Sequence, residues 1–544
     1  MRGAKSAKWV AGAIIVALAA TACGGDSDSG DKDDKGGTAA VDPKGIFSVD
    51  VGEPQNPLQP ANAKESNGSK VIRALFSRLV DFDDKGQIVK SNAASVETTD
   101  SKTWTVKLKP GWKFHNGEAV TSKSYVDAWN WAANIKNNQT NSFWFSDIAG
   151  FEDVHPEKGD PKKTEMSGLK VVDDNTFTIE LSSSIPYFEY KLGYDVFSPL
   201  PSGFFKDPEG YGEKPVGNGP YEFKSWTHKK QIEVTAFAGY QGEDKPKNGG
   251  VIFKNYTTVE AGYQDLLSNN LDIIRQIGPK DLPSRKSDLG ERAVDKDYNA
   301  VQSMTPAFYS KQWKDIDPKV LQGLSMAIDR PTITKTVLNN TREPATSFVA
   351  KGVAGYSPDV AGDILTYNPD KAKQLIKEGG GVPDNKIFIQ FNADGGHKEW
   401  VEAVCNSIRK ATGVECAGDS KPDFQTDLDA RDAHKVKSFY RGGWVQDYPL
   451  NVNFMRDLYG SKAAGNTSGF ASKKIDDLFK KGDAAKDLDG AIAAYQDAEK
   501  AMFEEMPSIP LWYYKANYGY SKKVQDVRFD NNGDPVLTEV QVKK

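Results

Sequence analysis

Between Thr103 and Ile135 the chain reads TWTVKLKPGWKFHNGEAVTSKSYVDAWNWAANI, and its hydrophobic period changes from two to between three and four. Alternation around Trp104 predicts a strand, Pro110-Gly111 breaks it, a second extended piece follows, Asn116-Gly117 makes a turn, and a helix begins near Thr121 or Ser122. The same change recurs along the chain. VIRALFSRL from Val71 to Leu79 has helical spacing, TFTIELSSSIPYFEYKLG goes from alternation to a helical pattern, and VEAGYQDLLSNNLDIIRQI reads as helix then strand. Such repeated switching predicts a mixed α/β body.

The second half continues in kind. KVLQGLSMAIDRPTITKTVL keeps helical spacing across Pro331, and NPDKAKQLIKEGG has its proline in the first turn and its glycines after the last. KIFIQFNA is a strand leading into a helix from Glu399 to Lys410, and AIAAYQDAEKAMFEEMPSIPLWYY ends a long helix at Pro507 before an apolar strand. Single hydrophobic cores seldom exceed about 250 to 300 residues. The 544 residues, 38% of them hydrophobic, therefore predict two or three lobes.

The N-terminus reads as an export address. Arg2, Lys5 and Lys8 precede a short apolar run, Val10 to Ala20, and small residues lead into Cys23. That run falls short of the roughly 20 residues that span a bilayer. The stretch LAATAC resembles the bacterial lipoprotein cleavage motif, with Ala20 where leucine is commoner; Cys23 would then be the lipidated first residue. An ordinary cleaved signal is the alternative. The following GGDSDSGDKDDKGGT has no apolar residue to bury and suits a tether. In an exported protein the two remaining cysteines, Cys405 and Cys416, can form a disulfide clipping a helix to a strand beyond Gly413; two buried thiols are the other reading.

Several functions find no support. A net charge of -5 offers no basic footprint for DNA or RNA. The five histidines lie far apart with no pair at metal-ligand spacing, so no metal site is expected. GNGPYEF begins like a phosphate-cradling glycine fingerprint, but it lacks a third glycine and puts Pro220 where the helix would start. Ser407 and Lys410 form a Ser-x-x-Lys pair without its usual partner motifs.

One stretch stands apart: RGGWVQDYPLNVNF, Arg441 to Phe454, a single acid among aromatics. Locally, Asp447 reads as a turn acid beside Pro449, and Arg441 as half of a surface ion pair. Taken in order with ALFSRLVDFDDKGQIVKSNAASVETTDSKTWTVKLKPGWKFHNGEAVTSKSYVDAW, VGNGPYEF, LSMAIDRPTI and YNPDKAKQLI, the GGWVQDYP segment makes the chain resemble family 5 of the extracellular solute-binding proteins, the oligopeptide, dipeptide and nickel receptors of ABC importers. The resemblance runs from about Leu58 to Trp512.

It implies a two-lobed α/β periplasmic-binding-protein-like fold of type II, cluster C, with an inserted subdomain and a hinge. The expected division is 1–22 signal peptide, 23–45 tether, 46–77 with 200–300 and 508–544 as lobe I, 78–199 as the inserted subdomain, and 301–507 as lobe II. It further implies that Asp447 holds a peptide's terminal amine, that Trp444 walls a side-chain pocket and that Arg441 lies near the ligand's carboxylate end. Tyr448, and less so Trp512, Tyr513 and Tyr514, are candidate aromatic walls. Glu65 is the nearest match to an acid that some oligopeptide receptors offer from the first lobe, and DYPLN lacks a second proline common in relatives. The expected partners are a peptide, an ABC permease and the membrane, the last through a lipid anchor outside the cytoplasm. No cofactor is expected, and the protein is expected to be a monomer. Another solute (nickel chelate, opine or oligosaccharide), a sensed signalling peptide, and an exported hydrolase are the remaining alternatives.

Overall fold

The computed structural model describes residues 40–463 and 465–544, so the signal peptide, Cys23 and most of the tether lie outside the described residues. The stretch read as tether ends sooner than expected. Val41–Asp42 is already a strand, paired with Gln541–Lys543, because two valines there, Val41 and Val542, have a partner strand to cover them.

The largest sheet has eleven strands and draws on both ends of the chain. At its centre two long strands, Ala293–Pro306 and Ile509–Tyr520, run antiparallel. Ala293 to Asp297 pair with Gly519 to Lys515; the register then shifts, and Val301 to Met304 pair with Tyr513 to Ile509. The first portion leads through Ile273–Ile274 to Ile46–Asp50, Gly250–Lys254, Gln231–Ala236 and Tyr221–Thr227. On the other flank lie Phe439–Val445, Lys386–Asn392 and Glu415–Lys421. A separate four-stranded sheet comes from Ala93–Thr98, Thr103–Leu108, Thr176–Glu180 and Leu169–Asp173. The helix Ser122–Ala133 covers it, with Tyr125 stacked on Phe177 at 5.7 Å and Trp129 edge-on to the same ring at 5.6 Å.

Local chemistry sets the element ends. Thr121 and Ser124 form a capping box that starts the Ser122–Ala133 helix where the sequence placed it. The helix expected over Val71–Leu79 starts earlier and ends earlier, at Ser66–Leu75, because the Glu65 carboxylate accepts from Asn67 N (2.6 Å) and Gly68 N (2.7 Å). The pattern across Pro331 is two helices, Pro318–Met326 and Arg330–Thr336, since Asp329 caps the second. Arg330 is fully buried and has no acidic partner among the described residues; its guanidinium donates to the carbonyls of Ser325, Leu365 and Pro510, tying the helix pair to the central strand.

The GNGPYEF turn knits a helix end to the sheet. Gly219 N donates to Leu75 O at 2.8 Å, and a Cβ on Gly217 would lie 1.9 Å from that same oxygen, so only glycine permits the approach. Ser407 donates to Ala327 O (2.8 Å) and accepts from Asp329 N (2.9 Å), a structural brace. Gly413, at φ 78°, ends the helix Lys398–Thr412, and Cys416 in the next strand is bonded to Cys405 across a Cα separation of 4.9 Å.

Candidate ligand-binding cleft

The strand Phe439–Val445 carries the centre of the site. Along one edge it pairs fully with Pro306 to Ala300. Along the other it meets Lys386–Asn392 only at Phe439 and Tyr440. From Arg441 onward that second edge has no strand partner among the described residues, and it borders a cleft of about 430 Å³. Two glycines keep this stretch slim: a Cβ on Gly442 would sit 2.4 Å from Ser303 Oγ.

Beyond the strand the chain turns, held by Gln446. Its N donates to Asn299 O (3.1 Å), and its side chain joins Asn299 and Asn532, each at 2.9 Å. Helix Asn451–Tyr459 follows and brings Asn453 back under the turn. Asn451, two residues past Pro449, donates its N to Ala354 O at 2.9 Å, a bond a proline in its place would lack.

Asp447 projects from this turn. Its own N donates to Asn453 Oδ1 (2.8 Å), and Asn453 Nδ2 donates to its Oδ2 (3.0 Å). No cation lies within ion-pair distance of it among the described residues. The carboxyl is half-buried and faces the cleft. Burial pushes its pKa up to about 8; the Asn453 bond opposes this, and nearby Asp457 adds to it. An acid so placed is short of a positive charge.

Trp444 is partly buried and lines the cleft, its Nε1 donating to the same Asn453 Oδ1 at 2.9 Å. Tyr448 stands elsewhere: it is fully buried behind the wall, donates to Asp457 Oδ2 at 2.7 Å and lies edge-on to Trp144 at 6.0 Å. The turn after Asp447 reverses the chain and sends this ring into the core, so it supports the wall and does not line it. Of the three later aromatics only Tyr514 reaches the cleft; Trp512 packs edge-on against Trp400 at 5.2 Å, and Tyr513 accepts from Thr346 N at 3.1 Å.

Arg441 is buried at the opposite end of the strand and has no carboxylate partner among the described residues, unlike the surface ion pair of its local reading. Its Nε and Nη2 donate to Asn392 Oδ1 (3.1 and 3.0 Å), and its guanidinium lies over the Phe424 ring at 5.0 Å. Arg431, paired with Asp427, is close by. His397 at this end is held well below the usual imidazole range by burial and by Arg441, Arg342 and Arg431. Among the described residues, then, Asp447 towards one end of the cleft has no ion-pair partner and Arg441 towards the other has no carboxylate partner. Glu65 also lines the cleft, yet it is committed to capping, with a third N–H from Gln55 at 3.2 Å.

Residues from distant segments are also joined, Lys64 and Asp432 among them lining the cleft. Lys64 pairs with Asp432 (2.6 Å), Gln55 Nε2 donates to Asp429 (2.9 Å), and half-buried Arg456 reaches Asp147 (2.6 Å) and Asp483 (3.1 Å). Burial opposes ionisation of Asp147, yet Arg456 and Lys191 hold it well below the usual carboxylate range. Trp144, Tyr194 and Asn453, none of them singled out from the sequence, complete the site; only the proximity of Asn453 to DYPLN hinted at its role.

Among the described residues no helix is long and apolar enough to cross a membrane, and no group of three or more His, Cys, Asp or Glu is placed to hold a metal ion. The family model for bacterial extracellular solute-binding proteins, family 5, matches residues 87–466. The oligopeptide-binding protein OppA of Bacillus subtilis is 24% identical, with 96% of each chain covered. Among solved structures, Haemophilus influenzae OppA in complex with RPPGFSPFR superposes with a TM-score of 0.83 at 22% identity, covering 93% of this chain and all of that one. The Escherichia coli murein tripeptide-binding protein MppA scores 0.83 at 22% identity, covering 93% of this chain and 99% of its own. The fold is thus the two-lobed α/β architecture of these binding proteins, and the chain belongs to the bacterial extracellular solute-binding proteins of family 5.

Proposed function

We propose that this protein captures oligopeptides outside the cytoplasm and delivers them to an ABC permease. The observation that carries the reading is the half-paired strand Arg441 to Val445, which ends beside an acid without a counter-ion. An extended peptide can add to such an edge through main-chain hydrogen bonds, which hold any sequence alike. Its ammonium then neutralises Asp447, and its carboxylate end faces Arg441. Relatives named for oligopeptide binding support the same choice of ligand. Trp444, Trp144 and Tyr194 offer broad walls for varied side chains.

In this reading 46–77, 200–300 and 508–544 form lobe I, 78–199 an inserted subdomain and 301–507 lobe II, with closure over the ligand and no covalent chemistry. Cys23 anchors a monomer by lipid to the outer face of the cytoplasmic membrane. Calorimetry tests the ligand class. Mixed di- to hexapeptides with free amines should bind, and their N-acetylated counterparts should bind tens- to thousands-fold more weakly, as expected for about 2 to 5 kcal/mol lost with a desolvated charge pair. Heat with a sugar or metal chelate and none with peptides would overturn the reading, and mass spectrometry of copurifying ligand provides an independent check.

A further inference from the structure

A second chamber of about 250 Å³ lies against the cleft. Asp447 borders both volumes, and so do Lys70, Arg73, Arg275, Gln446 and Asp534, so polar side chains make up much of the partition. Away from Asp447 the chamber runs outward to exposed Asp83, Asp84 and Asp244.

Its charge is unbalanced. Eight aspartates line it against four basic side chains. Each base already has a carboxylate: Lys70 has Asp534 (2.8 Å), Arg73 and Arg78 share Asp195 (3.3 and 2.9 Å), and Arg275 has Asp50 (3.5 Å). Among the described residues no cation lies within ion-pair distance of Asp83, Asp244, Asp447 or Asp530. Phe82, Val536 and Leu537 add apolar wall.

We propose that this chamber is the subsite for the first side chain of the bound peptide and that it selects lysine or arginine there. The inference rests on the amine-anchor reading above. With the ammonium on Asp447, the first Cα is one bond away, the main chain occupies the cleft, and the chamber is the other volume that Asp447 borders. A basic side chain fits both parts of the lining. Its aliphatic stem lies along the apolar wall while the charged head reaches Asp530 and Asp244.

Calorimetry on the full chain tests this with peptides identical except for residue one: lysine, arginine, norleucine or glutamate. Lysine and arginine should bind about tenfold tighter than norleucine at low salt, glutamate weaker still, and the spread should shrink as salt rises. In Asp244→Asn/Asp530→Asn the lysine peptide should fall to the norleucine level while the norleucine peptide is unchanged. Equal affinity for lysine and norleucine in the native protein, or an undiminished preference in the double variant, overturns the subsite. If acetylating the norleucine peptide weakens it but lysine has no advantage, the subsite alone fails. If acetylation changes nothing, the anchor fails and the subsite with it.

Discussion

Ligand binding should expel a proton, and the amount can be worked out from Asp447. Burial pushes its carboxyl up to about 8 in the empty cleft, so at pH 7 only about a tenth of the molecules carry the charge. An incoming ammonium requires the ionised form, and each ligand bound at pH 7 should therefore release about 0.9 proton to the buffer. Ionising the acid first costs about 1.4 kcal/mol at pH 7 and about 2.7 at pH 6. Affinity should thus rise about tenfold per unit from pH 6 towards 8, then fall as the peptide's own amine, ordinarily near 7.7 to 8.0, loses its proton. Titration calorimetry in two buffers of different ionisation enthalpy reads the released proton directly. In Asp447→Asn the proton release should vanish and binding should weaken, while the empty protein should gain stability at pH 8 to 9. The sign follows from linkage: the raised carboxyl stabilises the fold below its ordinary 3.8, and this contribution disappears as pH climbs towards 8. Heats that ignore the buffer, with affinity flat between pH 6 and 8, would refute the assignment of a buried, proton-holding acid as the amine site.

Other groups make comparable predictions. Glu499 is fully buried, accepts from Ser347 Oγ and Phe348 N, has among the described residues one oxygen without a partner and no cation, and is pushed up to about 7 by burial. Wild-type stability should therefore fall as pH rises from 4.5 to 7, by about 1.4 kcal/mol per unit from this group, and the Tm advantage of Glu499→Gln should grow from pH 5 to pH 8. Arg456→Met leaves Asp483 without its cation and Asp147 with Lys191 alone, which should cost about 1.5 to 3 kcal/mol of stability in denaturant titrations. Lys64→Ala, at a more exposed pair, should cost less than about 1 kcal/mol. Replacing both Cys405 and Cys416 by serine opens a loop of separation 11 and should lower stability by about 3 kcal/mol in denaturant titrations.

The sequence carried the local elements well because caps and breakers act over a few residues. Thr121, Gly413 and the Asn368-Pro369 helix start all sit where short-range chemistry put them. Where a side chain reached back, as Glu65 does, the helix moved with it. Within the site, Asp447 and Trp444 were legible through an ordered set of motifs, but their surroundings were not. Trp144 and Tyr194 arrive from parts of the chain 303 and 253 residues before Asp447, and nothing in their own neighbourhoods marks them as cleft residues. Tyr448 shows the converse limit: one residue past the acid, the turn carries it into the core, which a linear motif cannot convey.

The break in register between Asp297 and Val301 acts as a notch in a loaded beam. Any rotation of one half of the large sheet against the other must bend the two central strands, and bending concentrates where the ladder is already interrupted. The backbone there is fastened sideways: Asn299 N donates to Asn531 O (2.8 Å), and Asn299 O accepts from Gln446 N (3.1 Å). Gln446 is the neighbour of Asp447. Flexing the notch therefore pulls on the turn that holds the acid, and a ligand loading that acid pushes on the notch in return. If the lobes close on a ligand as proposed above, grip and leverage share a fulcrum, with no relay through the rest of the molecule.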